Sequence, residues 1–305
     1  MLIFATSDKG GTGRSVTSCN LMYRRALHGG DVSYVDFDFG SPTAGAIFEV
    51  SSAATGAHDG GLHSYLQGRV NQPLRLDMWS QSDRDSLRSR PVGAGALALF
   101  PGDRGGGEFP MNRDVLRRCT ELFLRLEEEF DVSLIDLSAG RSHAIDMALE
   151  VTAQPALRGT TARWLVFHRW TRQHIVAASN LVFGERGILQ TGVACGHEEI
   201  LLRDAIRFVR TAVLDPNSPD LAHLRGAQAA WLQDCNRDLH ELASKHSLGR
   251  STLLGQTPMD PVLQWREQLL SDEDVSANHI ANPATTAAFA DLANRLTDDE
   301  SWEGL

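Results

Sequence analysis

Asp8-Lys9-Gly10-Gly11-Thr12-Gly13-Arg14-Ser15 stands between an apolar run at residues 2–6 and a helical pattern at residues 15–26. A loop that binds phosphate must turn its backbone N–H groups inward, and glycines let it bend tightly against the ligand. The helix that follows adds a dipole favourable to anions. Ser15, which opens that helix, is placed to offer its hydroxyl to a magnesium ion. The common form of such a loop is GxxxxGK[ST]; here Asp8 replaces the first glycine and Arg14 the lysine. Residues 31–37 form a second apolar strand ending in Asp36 and Asp38. Strand, glycine loop, helix and strand make a βαβ unit, which implies a parallel sheet with right-handed crossovers.

Outward from this unit the alternation continues. Residues 51–112 are the least regular, with Pro91, Pro101 and a Gly105-Gly106-Gly107 run, although 61–68 reads as a short helix and 94–100 as a buried strand. Residues 113–130 carry apolar side chains at helical spacing, and 132–137 form a strand reaching Asp136. Further strands are expected at 164–168 and 251–254, and helices at 171–183, within 217–247, from 261 and at 284–296. Residues 206–214 fit either a strand or the end of a helix beginning near Glu198. The pattern predicts one doubly wound, mostly parallel α/β domain over 1–297 and a frayed acidic tail over 298–305.

Lys9-Gly10-Gly11-Thr12-Gly13-Arg14-Ser15 resembles the deviant Walker A motif, KGGxGK[ST], of the ParA/MinD family of dimerising P-loop ATPases. In that family the lysine matching Lys9 crosses the dimer interface to the nucleotide of the other subunit. Lys9 and Lys245 are the only lysines among 29 basic residues, which fits a position where a compact ammonium is wanted. Asp36-Phe37-Asp38-Phe39-Gly40-Ser41-Pro42-Thr43 resembles switch I, so Asp38 would position the attacking water and Asp36 support the metal shell. Two carboxylates beside a phosphate call for a cation, which implies magnesium. Asp136-Leu137-Ser138-Ala139-Gly140 resembles Walker B and switch II, with Asp136 toward the metal and Gly140 sensing the γ-phosphate. Near the C-terminus, Thr257, Pro258 and Met259 would border the adenine.

The resemblance implies ATP and Mg2+ as cofactors. Its catalytic group is Lys9, Arg14 and Asp38, and its metal group Ser15, Asp36, Asp38 and Asp136. Nucleotide contacts are Gly10, Gly11, Thr12, Gly13, Arg14, Ser15, Val16, Gly140 and Pro258. It implies a nucleotide-dependent homodimer that hydrolyses ATP slowly while positioning or regulating a protein partner. The alternative is a nucleotide-binding scaffold with little hydrolysis. Arg14 separates the two, because an arginine keeps the charge of the usual lysine but not its compact, rotating donors.

Composition narrows the choices. A net charge of −10 and a pI near 5.5 argue against bulk polyanion binding. Arg203, Arg207 and Arg210 at helical spacing would form only a small basic face, leaving partition-type DNA binding as the less favoured role. Arg169 and Arg172 follow a strand at its carboxyl end, where ligands gather on such sheets. Cys195-Gly196-His197-Glu198 lacks partners at metal-ligand spacing, and the four cysteines form no CxxC pair, against iron–sulfur relatives. No GxSxG elbow is present. No run approaches the roughly 20 apolar residues of a membrane span, and the acidic tail lacks a basic amphipathic helix, so a cytoplasmic protein without stable membrane association is expected.

Overall fold

The computed structural model describes residues 1–218, 221 and 223–303. One eight-stranded sheet runs through it in the order β3-β4-β2-β5-β1-β6-β7-β8. The strands are β1 (Leu2–Thr6), β2 (Val32–Phe37), β3 (Leu76–Asp77), β4 (Leu97–Phe100), β5 (Val132–Leu137), β6 (Ala162–Arg169), β7 (Ile206–Val213) and β8 (Leu253–Pro258). Every pairing is parallel except that of the short edge strand β3 on β4. The longer helices are α1 (Arg14–Leu27), α2 (Arg113–Glu129), α3 (His143–Thr152), α4 (Arg172–Phe183), α5 (Gly226–Lys245) and α6 (Pro283–Arg295).

The central strands read as unbroken apolar runs because both faces are covered, as parallel sheets require. Side chains alternate between two cores. Leu2 and Phe4 join Ile135, Leu137, Trp164 and Val166 beneath α2, α3 and α4. Ile3 and Ala5 join Leu134, Leu165 and Phe167 beneath α1 and α6. The register sets Asp36 beside Asp136 at neighbouring strand ends, next to the end of β1, where the glycine loop begins. At the opposite edge of the sheet, where β2 and β4 begin, close spacing requires glycine at Gly95, where a Cβ would lie 2.0 Å from the Gly30 carbonyl oxygen.

Within residues 206–214, Ile206–Val213 forms a strand, pinned by the pairing of Trp164 with Ile206 through Arg169 with Thr211. Arg203 lies on the short helix Glu199–Asp204 instead, so the three arginines share no helical face. Arg207 and Arg210, three apart on a strand, point to opposite faces and are only 4% and 3% exposed. Arg207 donates to the Ser301 carbonyl at 3.0 Å, and Arg210 lies over Trp170, 4.0 Å from the ring centroid. The expected basic face is therefore absent.

The acidic tail also differs from expectation. Asp299–Trp302 forms a 3-10 turn, and Trp302 packs under the guanidinium groups of Arg163 and Arg207. An indole that stacks two arginines holds the segment down as far as it is described; Gly304 and Leu305 lie outside the described residues. Among the described residues, no helix is long and apolar enough to cross a membrane.

Candidate functional site

The glycine loop leaves β1 and turns directly into α1. Gly11 and Gly13 take positive φ values of 70° and 73°, a left-handed conformation that side chains with a Cβ resist. The first helical bond runs from the Thr17 N–H to the Gly13 carbonyl at 3.0 Å. Gly10, Gly11, Thr12, Gly13, Arg14, Ser15 and Val16 border a cavity of about 150 Å³, closed on its other sides by Ser7, Asp38, Thr43 and Ala139. A second cavity of about 340 Å³ adjoins it, lined by Gly11, Thr12, Gly13 and Val16 on one side and Thr257, Pro258 and Trp265 on the other. The Thr211 hydroxyl donates to the Thr12 carbonyl and ties the loop to β7. The small chamber at a helix N-terminus suits an anion, and the larger one has room for an attached base and sugar.

Arg14 does not reach along the loop. Its side chain turns toward the strand ends and is 6% exposed. Nε donates to Asp136, and Nη2 donates to Asp38 at 2.9 Å. Longer contacts of 3.5 Å run from Nη1 to the Ser7 hydroxyl and from Nη2 to the Ser15 hydroxyl. Burial works against the charged guanidinium, but Asp136 and Asp38 outweigh it and hold the group above its usual pKa. Arg14 is thus a fixed cation between two carboxylates.

The four residues expected to serve magnesium are together, yet they are engaged by other groups. One Asp136 oxygen takes Arg14, and the other takes the buried Tyr34 hydroxyl. Burial and then the Asp136 charge push the Tyr34 phenol well above its usual value, so it stays a donor. Asp36 accepts the backbone N–H groups of Asp38 at 3.3 Å and Ala44 at 3.1 Å. Burial, and then Asp136 beside it, push its carboxyl well above the ordinary range. Among the described residues, no group of three or more His, Cys, Asp or Glu side chains is arranged to hold a metal ion. A divalent ion placed there would face the guanidinium, and a double and a single positive charge 4 Å apart repel by about 8 kcal/mol at an effective dielectric near 20. The residues as arranged do not fit magnesium.

Other expected residues fall as follows. Gly140 has φ 78°, but its N–H donates to the Ser7 carbonyl at 2.8 Å rather than toward the chamber. Pro258 borders the larger cavity, as does Thr257. Lys9 lies outside the cradle, in a separate depression with Asp8, Arg141 and Arg172. Arg169 lines the larger cavity, whereas Cys195 and His197 are not brought to it. Sequence reasoning did not find Ser7, Tyr34, Ser138, Thr211 or Trp265. Ser138 joins the two switch segments by accepting the Phe39 N–H at 3.1 Å and donating to the Phe37 carbonyl at 3.3 Å. Strand position gives a signal for Tyr34, which lies two residues before Asp36 on the same face of β2.

His168 near the end of β6 is 1% exposed. Its Nδ1 faces the Arg169 carbonyl at 3.1 Å, and Nε2 finds no partner among the described residues. Burial, with Arg210 nearby, lowers its pKa to about 4. An imidazole depressed in this way supports folding above its unfolded pKa near 6.5 and loses that support as pH falls toward 4. Between pH 7 and pH 5 the protein should therefore lose about 2 kcal/mol more stability than His168→Phe. Urea titrations of both proteins at each pH check this, since the remaining groups titrate alike in the two. Equal losses would show that the buried imidazole is not the source.

No protein-family model matches the chain, and no curated protein sequence matches it. Solved structures do. A chain of the MinC:MinD cell division protein complex of Aquifex aeolicus superposes with a TM-score of 0.61, at 15% identity over 97% of this chain and 95% of the other. MinD from Pyrococcus horikoshii, complexed with Mg-ADP, gives 0.53 at 16% identity over 98% and 96%. A ParA family ATPase from Chlorobium tepidum gives 0.54 at 12% identity over 96% and 98%. Such identities speak for the fold alone. With its glycine loop between β1 and α1 and its sheet order, the chain has the ParA/MinD-type P-loop ATPase fold.

Proposed function

We propose that this protein is a nucleotide-dependent switch of the ParA/MinD type, one that binds ATP, pairs with a second copy and acts on a protein partner, with hydrolysis slow or nearly absent. The observation that carries this reading is the chamber of about 150 Å³ at the start of α1, opening beside the 340 Å³ cavity bordered by Pro258. Backbone N–H groups and the helix dipole supply anion recognition there without any particular side chain. The MinD of P. horikoshii, similar in fold, was solved with Mg-ADP. Lys9 lines a depression separate from its own cradle, which fits a role at the nucleotide of a second subunit. Partition-type DNA binding is the less favoured role, because Arg207 and Arg210, two of the three arginines expected to form a basic face, are buried.

Arg14 favours the low-hydrolysis end of this reading. A guanidinium held by Asp136 and Asp38 is withheld from the phosphates. It also occupies the carboxylate of Asp38, the residue expected to orient water. A scaffold that changes state on nucleotide binding alone needs neither.

Calorimetric titration of the full chain with ATP tests the reading, and no heat with any purine nucleotide, with or without Mg2+, would end it. Trp265 gives a finer check. Its indole is 91% exposed and lines the larger cavity, a placement suited to stacking on a base. Loss of one aromatic stacking partner is worth roughly 1–3 kcal/mol, so Trp265→Ala should weaken ATP binding roughly tenfold. Unchanged affinity would place the base elsewhere.

A further inference from the structure

The geometry points to Arg14 as a built-in replacement for the divalent cation, and we propose that this chain binds its nucleoside triphosphate as the metal-free anion. The inference rests on the nucleotide reading and goes beyond it by assigning the ionic form of the ligand. Three arrangements carry it. Arg14 bridges Asp136 and Asp38, the two carboxylates that a phosphate-bound cation would have to meet, and it is 6% exposed. The second Asp136 oxygen is taken by the Tyr34 hydroxyl. Asp36, the third carboxylate, accepts the backbone N–H groups of Asp38 and of Ala44.

A planar guanidinium presents donors on three nitrogens at fixed angles and can hold two carboxylates at a set spread, whereas an ammonium carries all its donors on one rotating nitrogen. It carries one permanent positive charge to the wall of the phosphate chamber and cannot be lost to chelation. The guanidinium offsets one of the two carboxylate charges and the Tyr34 hydroxyl relieves Asp136 further, so less is left for a hydrated ion to neutralise before the anion arrives. The loop N–H groups and the N-terminus of α1 face the phosphates directly.

The test compares ATP affinity of the full chain by calorimetry in excess EDTA and in excess Mg2+, at one ionic strength. The expected result for the wild type is a dissociation constant in EDTA within about threefold of that in Mg2+. Arg14→Lys, with one point charge in place of the fork, frees at least one carboxylate and should bind ATP at least tenfold more tightly with Mg2+ than with EDTA. A wild type that binds ATP tenfold or more tightly with Mg2+ overturns the inference while leaving the nucleotide site standing. Absence of binding in both buffers overturns the inference together with the nucleotide reading. The wild-type pair decides by itself if the variant fails to fold. A merely structural Arg14 would change stability without changing the ratio between the two buffers.

Discussion

Arg14→Ala is expected to lower the folding free energy by about 3–5 kcal/mol, the range for removing one partner of a buried ion pair. The size follows from what is left behind rather than from what is lost. Asp136 is 1% exposed and sits in the middle of the sheet, between β1 and β2. Without the guanidinium its carboxylate keeps only the Tyr34 hydroxyl, with the acidic Asp36 in the neighbouring register position. Asp38 has a quarter of its side chain exposed, so water can relieve it in part. Urea unfolding at pH 7 measures the difference. Adding Asp136→Asn to Arg14→Ala should recover part of the loss, because the amide removes the orphaned charge, and this non-additivity is the signature of direct coupling. A loss below 1 kcal/mol for Arg14→Ala would show that solvent reaches Asp136 readily.

How much of this was legible beforehand depends on the kind of signal each element gives. The β1, loop, α1, β2 unit and the strand ending at Asp136 stand out because buried parallel strands are continuous apolar runs cut off by polar ends. Residues 206–214 were ambiguous because their apolar residues suit a period of 2 as well as one of 3.6; pairing with β6 decides it, and pairing is not local. That one decision moved Arg207 and Arg210 from an imagined surface into the interior. Strand β3 has two residues, too few to show alternation. Helix α3 has no counterpart among the expected helices, because ten residues give a helical period little length in which to show.

The site divides in the same way. Motif spacing placed Ser15, Asp36, Asp38 and Asp136 in one neighbourhood, since all four lie at the same edge of adjacent strands. It could not say where Arg14 would point, because a side-chain direction is settled by competing partners. The aspartates attract cations and the loop N–H groups attract anions, and the carboxylates hold the guanidinium. The Tyr34 contact completes that arrangement and is visible only once strand register is known.

Arg14→Lys is expected to raise the rate of phosphate release by about 10²–10³, the scale on which one well-placed donor to developing charge acts. Two effects of the substitution point the same way. A lysine ammonium cannot bridge Asp136 and Asp38 as the fork does, so Asp38 regains a free carboxylate at the wall of the phosphate chamber. From there it can accept a proton from, or orient, an attacking water. The ammonium itself rotates three donors on a flexible stem and can turn along the loop toward the phosphates, where the guanidinium is too tightly held to go. Positioning of this kind is sensitive to displacements near 1 Å, which is why a change that conserves charge can have so large an effect. Single-turnover phosphate release at saturating ATP and Mg2+ measures it for the wild type, Arg14→Lys and Arg14→Lys with Asp38→Ala. The double variant should fall back to the wild-type rate, since the gain depends on the released carboxylate. If Arg14→Lys releases phosphate no faster than the wild type while still binding ATP, the restraint on hydrolysis lies elsewhere, with the Gly140 N–H held by Ser7 as the next place to look.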